Sequence, residues 1–294
     1  MAATRRQIVS LPDGRALEVV EAGDVGAPAI IVHNGTPFGI GLIASHVEDA
    51  LARNLRIVTY GRPGYGRSTR SPGRSVASAA QDTAQLADAL GINRFATWGI
   101  SGGGPHALAC AALLPDRVVA AASLAGVAPY GAEGLDFLDG MGQDNLDEFG
   151  AALRGERDLR AYLEPQVPTM VDADPASMAE HMRTLLSPPD RAVFSSGLGL
   201  EFVRLLQDGM RASIDGWVDD DLAFTRPWGF RLEEVRVPLQ IWQGPHDLMV
   251  PFTHGEWLAE HVPQADVHLS PDDGHLTLYV RRVPEVHAWL ASHF

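Results

Sequence analysis

Six short runs rich in apolar and β-branched residues recur along this chain: AIIVH at 29–33, RIVTY at 56–60, FATWGI at 95–100, VVAAASLAG at 118–126, LQIWQG at 239–244 and DVHLS at 266–270. Longer segments with helical periodicity separate them. This alternation predicts an α/β fold, a mostly parallel central sheet with helices on both faces, because parallel neighbours need a crossover and a helix supplies it. Ahead of the first run, Pro12-Asp13-Gly14 divides two alternating stretches, which predicts an antiparallel hairpin at one sheet edge. Val76, Ala79, Thr83, Leu86 and Leu90 recur at helical spacing before Gly91, a predicted C-terminal cap. Val286, Trp289, Leu290 and Phe294 predict one face of a final helix that starts near Pro284.

Between residues 129 and 226 the strand pattern stops, and a stretch rich in helix formers, acidic residues and prolines replaces it. The expected organisation is a core formed by 1–128 and 227–294, with 129–226 inserted as a helical cap over the sheet. No repeat or low-complexity linker sets the insertion apart as an independent domain. Its Met and aromatic residues, among them Phe149, Tyr162, Met170, Phe202 and Trp217, are expected to be core, with a few lining a pocket.

A formal net charge of -14 repels phosphate backbones, and no basic stripe interleaves with aromatics, so nucleic acid is not an expected partner. No apolar stretch approaches the length of a membrane span, and MAATRRQIVS runs straight into polar residues without an apolar leader. No membrane partner is expected, and the cytoplasm is the expected location. With Cys110 as its one cysteine, the chain has no intrachain disulfide and no multi-cysteine metal site; HALACAALL makes that thiol a buried helix residue.

One junction carries the chemistry. FATWGI gives way to Ser101-Gly102-Gly103-Gly104 and then to the helix-patterned HALACAALL. Gly102, Gly104 and Ala107 match G-x-G-x-x-A, in which backbone amides approach a pyrophosphate. That reading lacks its second half: the acidic residue expected about twenty positions on is absent from AAASLAG, and no G-K-[ST] makes a P-loop. Gly99-Ile100-Ser101-Gly102-Gly103 is also G-x-S-x-G, the nucleophile elbow, in which a sharp strand-to-helix turn lifts the serine above the sheet. The residues two before and two after the serine crowd together there, and Gly99 and Gly103 fill those places. The strand before and the helix after supply the context the elbow needs, and the helix N-terminus favours negative charge beside Ser101.

A serine hydroxyl is a poor nucleophile at neutral pH, so the elbow predicts a general base and a carboxylate to orient it. Of eleven histidines, His275 in Asp272-Asp273-Gly274-His275 directly follows the last strand run, where an elbow enzyme keeps its base. His268 alternates outward on that strand, His106 lies one turn into the elbow helix, and His254, His261, His287 and His293 fall on helix faces that read as exposed. Asp247 in LQIWQGPHDLMVP stands at the end of the preceding strand as the expected acid, with Asp272 and Asp273 as rivals whose ordinary role is turn formation. The expected oxyanion donors are the backbone N–H of Gly102 and, from the loop His33-Asn34-Gly35-Thr36-Pro37, that of Thr36.

Taken together, the elbow, the HNGTP loop, the GRPGYGRS turn at 61–68, QGPHDLMVP and DDGH resemble, in their order, the α/β-hydrolase superfamily, especially its helical-capped bacterial esterase-like members. The resemblance covers roughly the first 128 and last 68 residues. Two positions depart from it: Asn34 stands where the family's oxyanion loop carries histidine, and Gly61 where its turn carries aspartate, so the anchoring of both must differ. The resemblance implies a serine hydrolase that cleaves a small apolar ester, lactone or related acyl compound through Ser101, Asp247 and His275, with no metal or organic cofactor. It also implies that carbon–carbon bond hydrolysis or perhydrolase/haloperoxidase-like chemistry could use the same three residues. A catalytically silent binder of small ligands is the contrasting expectation. Substrate and oligomeric state stay open in the sequence.

Overall fold

A computed structural model describes residues 4–262 and 264–294. Eight strands form one sheet: β1 (Arg5–Ser10), β2 (Ala16–Ala22), β3 (Ala29–His33), β4 (Arg56–Tyr60), β5 (Phe95–Ile100), β6 (Val118–Leu124), β7 (Leu239–Gln243) and β8 (Asp266–Leu269). Their order across the sheet is β1-β2-β4-β3-β5-β6-β7-β8. The hairpin β1–β2 is antiparallel, as is β2 against β4, and every later pairing is parallel.

Burial explains the run-like sequences. Every residue of β3, β4, β5, β6 and β7 is buried, as expected for parallel strands covered on both faces, whereas the edge strands β1 and β8 are largely exposed. Because side chains alternate along a strand, the sheet separates two apolar cores. Ile30, Val32, Ile57, Trp98 and Leu124 join one; Ile31, Val58, Phe95, Ala121 and Ile241 join the other. The helix Ser78–Ala89 covers the second core and ends before Gly91, whose φ of +69° lets the chain turn away.

Between β6 and β7 the described chain contains seven helices and no strand, from Gln143–Arg154 to Asp215–Phe224. Phe202 and Met170 from these helices belong to the same apolar core as Trp98 and Tyr279, so the segment is packed onto the sheet's helices through a shared core. Among the described residues no helix is long and apolar enough to cross a membrane.

Two expectations are corrected here. The final helix runs Val-rich from His275 to Ala291 with Pro284 inside it, so Pro284 does not start it; Val286 and Leu290 are buried, while Phe294 is 46% exposed. An interior proline forfeits one backbone hydrogen bond, and here the buried face from Leu276 to Leu290 outweighs that loss. His254 and His287 are fully buried, not exposed. His254 accepts from the Ala128 amide at 3.0 Å and donates to the Phe137 carbonyl at 2.9 Å. His287 accepts from Trp98 Nε1 at 3.1 Å and meets Asp49 at 2.9 Å. Both rings pin distant segments together. Cys110 is buried as expected, and burial pushes its thiol up to about 12.

Candidate active site

Ser101 directly follows β5 and opens a tight turn, Ser101–Gly103, that leads into the helix Gly104–Leu113. Its φ is +56°, in the left-handed region that a side-chain-bearing residue rarely adopts, and such strain concentrates where a fold over-determines the backbone. The surroundings show what holds it. A Cβ on Gly99 would overlap the Gly103 carbonyl, and a Cβ on Gly103 would overlap the His33 carbonyl. The two glycines thus permit β5, the turn and the end of β3 to meet. Ser101 is half-buried and lines a cavity closed by the helices between β6 and β7.

The loop after β3 lies against this turn. A Cβ on Gly35 would come 3.2 Å from the Ser101 Cβ, and one on Gly102 would press on Thr36 Oγ1 and the Phe224 ring. Gly35–Phe38 is a turn closed by a 2.9 Å bond from the Phe38 amide to the Gly35 carbonyl, with a cis peptide between Thr36 and Pro37. The Thr36 amide has no acceptor among the described residues. Gly102 lies in the first turn of its helical segment, where N–H groups lack an intrahelical partner. Both residues line the cavity beside Ser101.

His275 begins the last helix and lines the same cavity. Its Nδ1 donates to Asp247 Oδ2 at 2.7 Å; both side chains are buried, and no direct hydrogen bond joins the ring to Ser101 Oγ. Asp247 is fixed in turn, its Oδ1 accepting from the Met249 and Val250 amides, each at 2.8 Å, and its Oδ2 from Gln243 at 3.2 Å. Burial raises the Asp247 pKa, although His275 beside it works in the other direction. Burial works to lower the pKa of His275, but the charge and hydrogen bond of Asp247, with Asp190 behind, outweigh it and the net direction is upward. Of the rival acids, Asp273 turns to Ser270 and Arg282, at 2.6 and 2.7 Å, and Asp272 is exposed; neither is bonded to His275. His268 stacks on Trp242 at 4.0 Å, and His106 contacts the Gly102 carbonyl through Nδ1 at 2.8 Å.

The sequence reading missed three carboxylates, all from the segment between β6 and β7. Asp190 reaches the start of the last helix and accepts from the amides of His275, Leu276 and Thr277, at 2.9, 2.9 and 3.0 Å. Three helix N–H groups that would lack partners are thereby satisfied, and the segment that carries His275 is held in place. Asp220 is fully buried, accepts from Thr36 Oγ1 at 2.7 Å and from Tyr65 at 2.8 Å, and pairs with Arg62 at 2.5 Å and Arg74 at 2.6 Å. Burial alone would raise its pKa, but the two guanidiniums hold it far below the usual carboxylate range. Arg62 also donates to the Asn34 carbonyl at 2.5 Å, so this cluster anchors the Thr36 loop. Asn34 adds its own support, donating from Nδ2 to the carbonyls of Gly39 and Gly41, each at 2.9 Å. A Cβ on Gly61 would press on Ile40, which accounts for the glycine there.

Asp221 is the third. It follows Asp220 in the run Asp219-Asp220-Asp221, and all three are buried although an acidic run suggests a solvated face. Successive helix residues point about 100° apart. Asp219 therefore meets Arg70 at 2.8 Å, Asp220 meets Arg62, and Asp221 faces the cavity. The available signal was the setting of the run, between Trp217-Val218 and Leu222-Ala223-Phe224, which leaves the helix no wet face.

A family model described as alpha/beta hydrolase fold matches residues 28–281. RutD of Caulobacter sp. strain K31, named for carbamate hydrolysis, is 25% identical over 245 residues, which are 81% of this chain and 80% of that one. A 2-hydroxy-6-oxononadienedioate/2-hydroxy-6-oxononatrienedioate hydrolase of Burkholderia vietnamiensis is 25% identical over 286 residues, 93% of this chain and 90% of its own. Among solved structures, a thermophilic esterase from Thermogutta terrifontis superposes with a TM-score of 0.70 at 22% identity, covering 99% of this chain and 100% of that one.

Proposed function

The chain belongs to the α/β-hydrolase fold family, and on that premise we propose that it is a serine hydrolase of a small ester, lactone or related acyl compound. The observation that carries this reading is the pairing of His275 with Asp247 at 2.7 Å on the cavity that Ser101 lines from a left-handed turn.

In this mechanism Nε2 of His275 takes the Ser101 proton as Oγ attacks the carbonyl carbon. Asp247 holds Nδ1–H and balances the charge that the ring acquires. Negative charge moves to the carbonyl oxygen and rests on the amides of Thr36 and Gly102 beside the positive end of the helix Gly104–Leu113. His275 then gives its proton to the leaving alkoxide, and the acyl group stays on Ser101. Water, deprotonated by the same ring, releases the acid and restores the serine. Residues 129–226 act as a cap that shapes the acyl pocket around the core formed by 1–128 and 227–294, contributing Phe149, Met170, Phe202 and Trp217 to its lining.

A second reading follows from the dienedioate hydrolase likeness, in which the same three residues would serve carbon–carbon bond hydrolysis. A fluorophosphonate probe and a panel of short p-nitrophenyl esters and lactones test the first. Labelling at Ser101 with ester turnover is expected, and Ser101→Ala should lower turnover by about a thousandfold or more with the fold retained. Full activity in that variant would refute the assignment. Labelling without turnover of any ester or lactone would favour the second reading, and absence of both would favour a ligand-binding protein without catalysis.

A further inference from the structure

The cavity that holds Ser101 and His275 has one acidic wall. Asp144 and Glu148, on the helix Gln143–Arg154, and Asp221, on the helix Asp215–Phe224, all line it. Asp144 is occupied by Thr184, which donates to it at 2.5 Å. Glu148 accepts from Trp217 Nε1 at 2.7 Å and lies within hydrogen-bonding reach of the Asp221 carboxyl. Asp221 is 1% exposed, and its Oδ2 has no donor facing it.

Among the described residues no permanently charged cation offsets this charge in the cavity. The chain contains no lysine, and among the described residues no arginine lines the cavity; His181 and His275 are its basic side chains. Arg62 and Arg74 lie behind the wall and are already paired with Asp220. Burial raises both Glu148 and Asp221: at Glu148 the hydrogen bonds of Asp221 and Trp217 oppose it and Asp144 adds to it, and at Asp221 the Glu148 and Asp220 carboxylates add to it while Arg74 opposes. Two adjacent carboxyls of this kind share a proton, and each carboxyl keeps acceptor capacity beyond that one bond.

The wall and the oxyanion position border one cavity. Phe224, three residues beyond Asp221 and so its neighbour on the same helix, stands against Gly102. A carboxylate on the substrate there would add like charge beside the acid pair with no arginine or lysine to balance it. A hydroxyl or ammonium group there would meet an unfilled acceptor.

We propose that Glu148 and Asp221 are specificity-determining residues, which together accept a hydrogen bond from a hydroxyl or protonated amine near the scissile carbonyl and reject substrates with a carboxylate in that place. This rests on the acyl-hydrolysis reading for its meaning, but it is tested by binding alone. Phenethyl alcohol, phenethylamine and phenylacetate share a benzyl body and carry three different polar ends. Titrated calorimetrically into the wild-type chain, the alcohol or the amine should bind at least about tenfold more tightly than the acid, the ratio that a hydrogen bond to a charged group supplies. In Glu148→Gln and in Asp221→Asn the ratio should fall to about threefold or less, with folding checked by circular dichroism. Neither donor binding more tightly than phenylacetate in the wild type would overturn the proposal, as would an unchanged ranking in both folded variants. The two ideas fail separately: a phenylacetate preference in a chain that hydrolyses esters through Ser101 sinks only this one. The expected ranking in a chain that Ser101→Ala does not silence sinks only the mechanism.

Discussion

Asp220 and Asp221 are adjacent on one helix, yet the same substitution should act on them differently. Asp220 has no exposed surface and faces Arg62 at 2.5 Å and Arg74 at 2.6 Å. Asparagine there keeps the shape but leaves two buried guanidiniums without their counter-charge, and removing one partner of a buried ion pair costs about 3–5 kcal/mol. A chain of 294 residues unfolds with an entropy of about 0.6 kcal/mol per degree, taking about 2 cal/mol/K for each residue. Asp220→Asn should therefore lower the melting temperature by roughly 5–8 °C. Asp221 meets Glu148 instead of an arginine, and its carboxyl is already driven toward the neutral form. Asparagine resembles that form and can donate to Glu148, so Asp221→Asn should change stability by less than about 1 kcal/mol, or increase it. Differential scanning calorimetry on both variants measures the contrast. Asp220→Asn also weakens the hold on Thr36 Oγ1 and on Arg62 behind the same loop, so turnover of any ester substrate should fall by about tenfold or more, bounded by the 10²–10³ that losing an oxyanion donor costs. Equal loss of stability in the two variants, or greater loss at Asp221, would show that the charges are assigned wrongly.

In the proposed mechanism the neutral ring of His275 is the base, and its pKa is raised above the usual histidine value of about 6.5, so kcat/KM should rise with pH through a midpoint above that value. Asp247→Asn should move the midpoint down; a pH–rate profile that is flat from pH 5 to 8, or one whose midpoint ignores that substitution, would contradict the assignment. Asp190→Ala strips three backbone N–H groups of their acceptor at the start of the last helix, at about 1 kcal/mol or more for each group left unpaired. A loss of roughly 2–4 kcal/mol in denaturant unfolding, together with a lower kcat, is expected, and an unchanged kcat would show that the base does not depend on this carboxylate.

Legibility followed the range of the interactions. The sequence runs at 29–33, 56–60 and 95–100 coincide with β3, β4 and β5 because strands buried on both faces must be apolar throughout. The elbow was equally readable, since the crowding that excludes a side chain at Gly99 and Gly103 acts within a few residues of Ser101 or across one neighbouring strand. What periodicity could not show was contact between distant segments. His254 and His287 read as surface residues because their partners, Phe137 and Trp98, lie far away in the chain. The last helix starts nine residues before the expected Pro284 because Asp190, from another part of the chain, caps it. Asp219-Asp220-Asp221 form one acidic stretch in the sequence, and only the folded chain turns two of its members to arginines and the third to the cavity.

The seat of Asp190 has a practical consequence for engineering. The carboxylate that fastens the segment carrying His275 comes from the helix Pro188–Phe194, and the one that fastens the Thr36 loop comes from Asp215–Phe224. Replacing the segment between β6 and β7 with another protein's would thus remove the fastenings of His275 and of the Thr36 loop along with the cavity walls. A chimaera meant only to exchange selectivity would begin with a loosened imidazole, unless residues equivalent to Asp190 and Asp220 were carried across with it.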